Sequence, residues 1–309
     1  MAKVLNVNAT LVGKNDLTAE LAEFIIKYDE PLDKSFKSGQ YVAIGMTNEK
    51  NPEKGSVTRS MSIASGFKEK PITELSFYIR RVSHPASDNP LTHLLWEAKV
   101  GDKIYVTRKP VGRFTVEDTM GEDDKRMVLC VAAGTGLAPF LSMAETRIAQ
   151  RHNADLSSLA ILHGASYEKD LGYRERLNAL KESHGLRYLP SISRAKEGDG
   201  WSGHQGRVES FFKAEHVPDL ESKLGLQSGG LTPENVGVLI CGLQGTIEQT
   251  LLRLIPRGFI PFDRKIRKAL EIEKDVVSSI WWEQYDSTPV IDLQDEKLIK
   301  ELKNIIHSK

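Results

Sequence analysis

The spacing of apolar positions along the chain changes near residue 117. Before it they come in short runs rich in Val, Ile, Tyr and Phe, broken by Gly, Pro, Asn and Asp, which predicts strands joined by turns. Candidate strands cover residues 9–14, 21–28, 41–46, 59–64, 74–82, 103–107 and 114–116, enough for a small closed antiparallel β-barrel. One helical segment, 91–98, interrupts them after Ser87-Asp88-Asn89-Pro90. A polar, acidic stretch at 117–125 then marks a domain boundary. Beyond it, strands at 127–132, 159–163, 186–191 and 236–241 alternate with helices at 139–150, 173–181 and 246–255 and a short one near Val208. That alternation predicts a parallel sheet covered on both faces. The expected fold is therefore α+β with two domains, a β-barrel over 1–120 and an α/β parallel-sheet domain over 121–309. Residues 213–235 read as an insertion or long loop. Residues 292–309 carry Leu293, Leu298, Ile299, Leu302, Ile305 and Ile306 at helical spacing, which suits a helix on its own domain, a dimer contact or a lid.

Composition narrows the function classes. With 309 residues and 40% hydrophobic content the chain can bury two cores. Lys+Arg and Asp+Glu are both 42, and no basic block is interleaved with aromatics, so nucleic acid is not an expected partner. Met1-Ala2-Lys3-Val4-Leu5-Asn6 lacks the apolar core of a signal peptide, and no apolar run approaches the roughly 20 residues of a membrane span. A soluble cytoplasmic protein without a membrane partner is expected. Cys130 and Cys241 lie in apolar strand-like runs, which suits reduced buried thiols, and two cysteines cannot ligate a common iron–sulfur cluster. The eight histidines show no metal-ligand spacing, and neither H-E-x-x-H nor G-x-S-x-G occurs.

The chemistry begins at residues 127–140, where an apolar run stops at Gly134-Thr135-Gly136 and Pro139 opens an amphipathic segment. Glycines allow close backbone approach to an anion, and a proline fits the first turn of a helix, so a dinucleotide pyrophosphate suits this loop. It departs from G-x-G-x-x-G by having Pro139 in place of the third glycine, and a plain tight turn is the other reading. Ligands on parallel sheets sit at the carboxyl ends of strands, where Gly134, Ser191 with Arg194, and Cys241 with Gly242 would gather. In the β unit, Arg59-Ser60-Met61-Ser62 offers a guanidinium for a diphosphate and a hydroxyl for a heterocycle. Asn89-Pro90-Leu91-Thr92 looks like a phosphate-binding helix start, with Asn89 tolerating the left-handed conformation and Thr92 adding a hydroxyl.

Taken in order, Phe36-Lys37-Ser38-Gly39-Gln40-Tyr41, Arg59-Ser60-Met61-Ser62, Asn89-Pro90-Leu91-Thr92, Pro110-Val111-Gly112-Arg113-Phe114, Gly134-Thr135-Gly136-Leu137-Ala138-Pro139 and Cys241-Gly242-Leu243-Gln244-Gly245 resemble the ferredoxin–NADP reductase family over residues 9–285. The resemblance implies an FAD-binding β-barrel followed by an NADP-binding α/β domain. It implies that Arg59, with Ser60, and Thr92 bind the FAD pyrophosphate and that Ser62 bonds near flavin N5. Met61 replaces the family's stacking tyrosine, Asn89 replaces a usual glycine, and Tyr78 and Arg80 line the AMP half. On the nucleotide side Gly134, Thr135, Gly136 and Pro139 take the NADP pyrophosphate. Arg194 and Arg207 take the 2′-phosphate, with Ser166 where bacterial members often carry a third arginine and plant members a serine. Cys241 borders the nicotinamide, Tyr285 gates the flavin face, and Glu283 belongs to a proton network; the chain continues for about two dozen residues past Tyr285. The implied activity is hydride transfer between NADP(H) and flavin with single-electron exchange to ferredoxin or flavodoxin. Arg80, Arg81, Arg264, Lys265, Arg267 and Lys268 are candidate docking charges for such acidic carriers. The alternatives are a reductase serving an oxygenase or diffusible acceptor, and a redox sensor that binds both cofactors without turnover.

Overall fold

The computed structural model of the chain describes residues 5–151, 153–196, 198 and 200–308. The first four residues, part of the N-terminus read above as lacking a signal-peptide core, lie outside the described residues. The chain divides into two compact units, Met1–Thr115 with Leu137–Ala154, and Val116–Gly136 with Asp155–Lys309.

The first unit contains β1 (Ala9–Asp16), β2 (Leu21–Leu32), β3 (Tyr41–Thr47), β4 (Ser56–Ser62), β5 (Ile72–Arg80), α1 (Leu91–Glu97) and β6 (Lys103–Val106). These strands form an antiparallel sheet in the order β4-β3-β6-β1-β2-β5. In β2 the two-residue period is plain: Ala22, Phe24, Ile26 and Tyr28 are buried while Lys27 between them is exposed. Those side chains join Leu11, Val42, Ile44, Phe77, Ile79, Leu95 and Ile104 in one core. The ends of the strand order are tied together, because Ala64 N donates to Ser76 O at 2.9 Å and Ser76 N to Ser65 Oγ at 3.1 Å. Such a tie curls the sheet toward closure and satisfies edge amides. Residues 114–116 are not a strand: Phe114 is buried, and Val116 opens the short α2 (Val116–Thr119).

Helix α3 (Ala138–Gln150) carries Pro139 in its first turn, where the missing N–H breaks no intrahelical bond. It packs within the first unit. Ser142 Oγ donates to Ser65 O at 2.7 Å, Phe67 N donates to Thr146 Oγ1 at 2.8 Å, and Phe140 tilts against Phe114 at 5.9 Å.

The second unit holds β7 (Met127–Ala133), β8 (Leu159–Ala165), α4 (Arg174–His184), β9 (Arg187–Ile192), β10 (His204–Gln205), α5 (Val217–Lys223), β11 (Val236–Gly242), α6 (Gln244–Leu254), α7 (Arg264–Ala269), β12 (Ile280–Gln284) and α8 (Glu296–His307). All its strand pairings are parallel, in the order β10-β9-β8-β7-β11-β12. β7, β8 and β11 are buried along nearly their whole length, as expected of strands covered on both faces. The chain runs outward from β7 through β8, β9 and β10 on one side and returns to β11 and β12 on the other. The switch point therefore lies between β7 and β11, and sheets of this kind receive ligands at the carboxyl edge of such a point.

In this unit two segments differ from the sequence expectation. Residues 213–235 are not a plain loop, since α5 buries Val217, Leu220 and, just past its end, Leu224. The Glu221 carboxylate then closes the following turn by accepting from Gly229 N at 2.9 Å and Leu231 N at 3.0 Å. Ile280-Trp281-Trp282 adds an edge strand in register with Val238, Leu239 and Ile240. The tail beyond it packs on the second unit, with Val290, Ile291, Ile299 and Leu302 in that unit's core. Asp295 caps α8 by accepting from Leu298 N at 3.0 Å, and Lys303 pairs with Glu271 at 2.6 Å.

Candidate active site

At the switch point three stretches of chain meet. The turn Gly134–Leu137 follows β7, with Gly134 in the left-handed region at φ +55°. Gly136 is pressed against the end of β11, so that a Cβ there would lie 2.1 Å from Cys241 O. Cys241 is buried and aligns with Ala132 on β7 and with Glu283 on β12. Burial pushes its thiol well up, the Glu283 carboxylate adds to the rise, and a hydrogen bond with Tyr285 opposes it. The thiol is accordingly neutral at physiological pH. Tyr285 leaves the end of β12 with its N–H donating to Gly242 O at 3.2 Å, and its phenol donates to Thr135 O at 3.2 Å. The ring thus bridges from β12 to the Gly134–Leu137 turn across Cys241, and it is 45% exposed.

A second cluster lies beyond β8 and β9. Arg194 N donates to Ser166 O and Ser193 N to Ala165 O, each at 3.0 Å, which binds the two loops together. The Arg194 guanidinium hydrogen-bonds to Tyr167 and lies 5.8 Å from its ring centre. That contact holds the Tyr167 phenol below its ordinary value. Tyr167, Glu168, Lys169, Ile192 and Arg194 line an open cleft of about 320 Å³. Arg207 does not line it; it precedes the turn Val208–Phe212, exposed, with its carbonyl accepting from Ser210 Oγ at 2.6 Å. Sequence reasoning missed Tyr167 and Lys169. The signal available was an aromatic next to Ser166 in a loop that follows a buried strand. It also missed His163, which is buried on β8 with Nδ1 3.2 Å from Tyr188 Oη and which burial pushes down to about 4.

In the first unit Arg59, Ser60 and Met61 lie on β4, an end strand of the sheet order, with Arg59 and Ser60 exposed and Met61 half-buried against the core. Strand alternation puts Arg59 and Met61 on one face and Ser60 and Ser62, the latter buried, on the other. Tyr78 is buried on β5, and exposed Arg80 reaches Glu20 at 3.4 Å. Thr92, in the first turn of α1, accepts from Val82 N at 3.4 Å. Asn89, which tolerates the left-handed conformation, does not adopt it. Its amide is buried instead, accepting from Asn48 Nδ2 at 2.9 Å and donating to Lys54 O at 3.2 Å, so it braces the 48–54 loop. Among the expected docking charges Arg267 is a structural residue. Its guanidinium donates to Pro261 O, Ser278 Oγ, Glu273 O and Val276 O, fastening the loop after α7.

Known proteins resemble this chain in sequence and in fold. Residues 130–251 match the family described as the oxidoreductase NAD-binding domain. A ferredoxin–NADP reductase from Pseudomonas aeruginosa is 28% identical over 256 residues, which span 77% of this chain and 88% of that protein. The crystal structure of a ferredoxin NADP+ reductase from Neisseria gonorrhoeae with bound FAD and NADP has the same fold, at a TM-score of 0.69 and 24% identity over 90% of this chain and 97% of that one. Ferredoxin–NADP reductase B from Sorangium cellulosum is 33% identical over 231 residues, 74% of this chain and 82% of the relative. With identity at that level running through both units, and with a barrel followed by a parallel sheet, this chain belongs to the ferredoxin–NADP reductase family.

Proposed function

We propose that the chain is an FAD-dependent oxidoreductase that moves hydride between NADP(H) and flavin and exchanges single electrons with ferredoxin or flavodoxin. The observation that carries this reading is the meeting of the Gly134–Gly136 turn, Cys241 and Tyr285 at the switch point of a parallel sheet. The nucleotide fits there: a Cβ added at Gly134 or Gly245 would meet nothing within 4 Å, so backbone on both sides of the switch point faces open space. In the first unit the exposed guanidinium and hydroxyl of Arg59 and Ser60 on an end strand suit a diphosphate. When bound, FAD supplies the conversion between two-electron and one-electron transfer.

The chain's own residues bind and orient. On this reading Arg59, Ser60 and Thr92 hold the FAD pyrophosphate, Met61 packs on the ring system, and Ser62 bonds to it, while Tyr78 and Arg80 serve the AMP half. Gly134, Thr135, Gly136 and Pro139 receive the NADP pyrophosphate. Arg194 and Arg207 favour the 2′-phosphate, beside Ser166, because NAD would leave the guanidiniums without an anion. Cys241 forms a neutral, water-excluding wall for the nicotinamide. Glu283 sits behind it on β12, and Tyr285 covers it.

The test is an absorption spectrum of the purified protein, then anaerobic titration with NADPH and NADH, then addition of oxidised ferredoxin or flavodoxin. The proposal expects bound flavin, bleaching by NADPH in preference to NADH, and return of flavin colour as the carrier is reduced. Absence of flavin, or flavin that NADPH leaves oxidised, refutes it. Bleaching without release of electrons to a carrier points to the sensor reading instead.

A further inference from the structure

We infer that Asp286 is a latch that holds Tyr285 closed across Cys241, making it a positioning residue for nicotinamide entry. The inference rests on the nucleotide reading above, and its evidence is the hydrogen bonding around one carboxylate. Asp286 Oδ2 accepts from Gln244 N at 3.0 Å, at the start of α6, where Leu243 supplies no side-chain cap. A carboxylate at that end of an 11-residue helix satisfies an otherwise uncapped amide and complements the helix dipole. Asp286 Oδ1 accepts from Gln284 Nε2 at 2.6 Å and from Thr288 N at 3.0 Å. The Gln284 amide also donates to Thr288 O at 2.6 Å, and Gln244 Nε2 donates to Val290 O at 3.3 Å. Residues 284, 286, 288 and 290 are therefore all fastened around the start of α6, and buried Val290 and Ile291 anchor the strap to the core.

Tyr285 is the one residue of this knot whose side chain points across the site. Its backbone is pinned on both sides, by Gly242 O before and by Asp286 after, so the phenol leaves Thr135 only by side-chain rotation. Closed, it occupies the ground between Thr135 and Cys241 that the nicotinamide needs. A ligand that requires the open position binds more weakly by the fraction of molecules that are open. Releasing the latch lets the backbone carry the ring away and raises that fraction. The adenosine end of the nucleotide, proposed to bind at Arg194, is indifferent to Tyr285.

The experiment measures dissociation constants of NADP+ and of adenosine 2′,5′-bisphosphate, which lacks the nicotinamide, on the FAD-loaded full-length protein. The proteins compared are wild type, Asp286→Ala, Gln284→Leu, Tyr285→Ser and the Asp286→Ala/Tyr285→Ser double variant. If the latch opposes entry through about one hydrogen bond, Asp286→Ala and Gln284→Leu bind NADP+ about fivefold more tightly and the bisphosphate unchanged. Tyr285→Ser alone reproduces the gain, and Asp286→Ala adds nothing to it. Gln284→Leu keeps the test decisive should Asp286→Ala fail to fold. Unchanged NADP+ binding, a parallel shift of both ligands, or a further gain in the double variant overturns the latch. A wild-type protein that binds neither ligand overturns the nucleotide reading and the latch with it.

Discussion

Replacing Gly136 with alanine tests the construction of the site at its tightest point. The added Cβ would fall 2.1 Å from Cys241 O and 2.7 Å from Cys241 C. Carbon and oxygen pack at about 3.3 Å, so the turn or the end of β11 has to yield by about 1.2 Å. Neither neighbour is a flexible side chain, because the contact is backbone against backbone. Overpacking of this kind costs about 1–3 kcal/mol, and a reacting group moved by about 1 Å loses about 10²-fold in rate. Two other glycines provide the controls. Gly134→Ala meets nothing within 4 Å but keeps a left-handed residue at φ +55°, which costs about 1–2 kcal/mol without displacing the turn. Gly245→Ala also meets nothing within 4 Å and lies in α6, where alanine is favoured over glycine by up to about 1 kcal/mol. Thermal unfolding of the holoprotein and stopped-flow bleaching of the flavin by NADPH under anaerobic conditions read both effects. The expected order of stability is Gly245→Ala, wild type, Gly134→Ala, Gly136→Ala, with the large loss of rate confined to position 136. A Gly136→Ala protein that unfolds and bleaches like wild type would refute the close-approach argument.

Three further outcomes follow from other parts of the molecule. Arg194→Ala should raise the KM for NADPH by about tenfold to hundredfold, the worth of a charge-assisted hydrogen bond, and leave NADH unaffected; steady-state kinetics with both nucleotides decides, and an equal loss with NADH removes Arg194 from the 2′-phosphate site. Leu302→Ala, at a position 3% exposed in the core under α8, should cost about 2–5 kcal/mol in urea unfolding; a cost near zero would mean that the tail helix does not share that core. The side-chain hydrogen bond from Arg126 holds the Asp124 carboxyl below its ordinary 3.8, with Arg126 also reaching Pro233 O. A depressed folded value means that this pair stabilises the fold fully above about 3.8 and loses its contribution as pH falls through the lower folded value. The stability gap between wild type and Asp124→Asn should thus be constant near neutrality and shrink in acid, and a gap that widens in acid contradicts the assignment.

Much of the architecture is legible in the chain because burial imposes period. Alternation in β2 and unbroken apolar runs in β7, β8 and β11 announce half-buried and fully buried strands respectively. The Gly134–Gly136 turn is legible because glycine takes φ +55° at little cost and, two residues on, avoids a Cβ that would lie 2.1 Å from Cys241 O. What escapes is set by partners distant in sequence. Nothing local distinguishes Arg267 from Arg264, yet Arg267 is consumed by carbonyls of residues 261, 273 and 276. Asn89 tolerates the left-handed conformation by residue type, but Pro90 after it favours an extended backbone, and its amide finds Asn48, 41 residues away. β12 is five residues long and lies at the sheet edge, so its pattern is too short and too mixed to separate from a loop.

The register of the parallel sheet explains why the Cys241 thiol stays neutral among these groups. Ala132, Cys241 and Glu283 form one row across β7, β11 and β12, and the chain leaves each strand within two residues of that row. A slip of one residue in either pairing would exchange inward and outward faces along the whole strand, so the row is fixed by the core beneath it. Within it the thiol is enclosed by strands on both sides and faces the Glu283 carboxylate in the neighbouring strand. Both influences disfavour the thiolate, burial most of all. A neutral sulfur is polarizable and poorly hydrated, suited to lie against a heteroaromatic ring and to keep water from it. Hydride transfer needs alignment and dryness more than a proton donor, and on the proposed reading Cys241 provides both through its position alone.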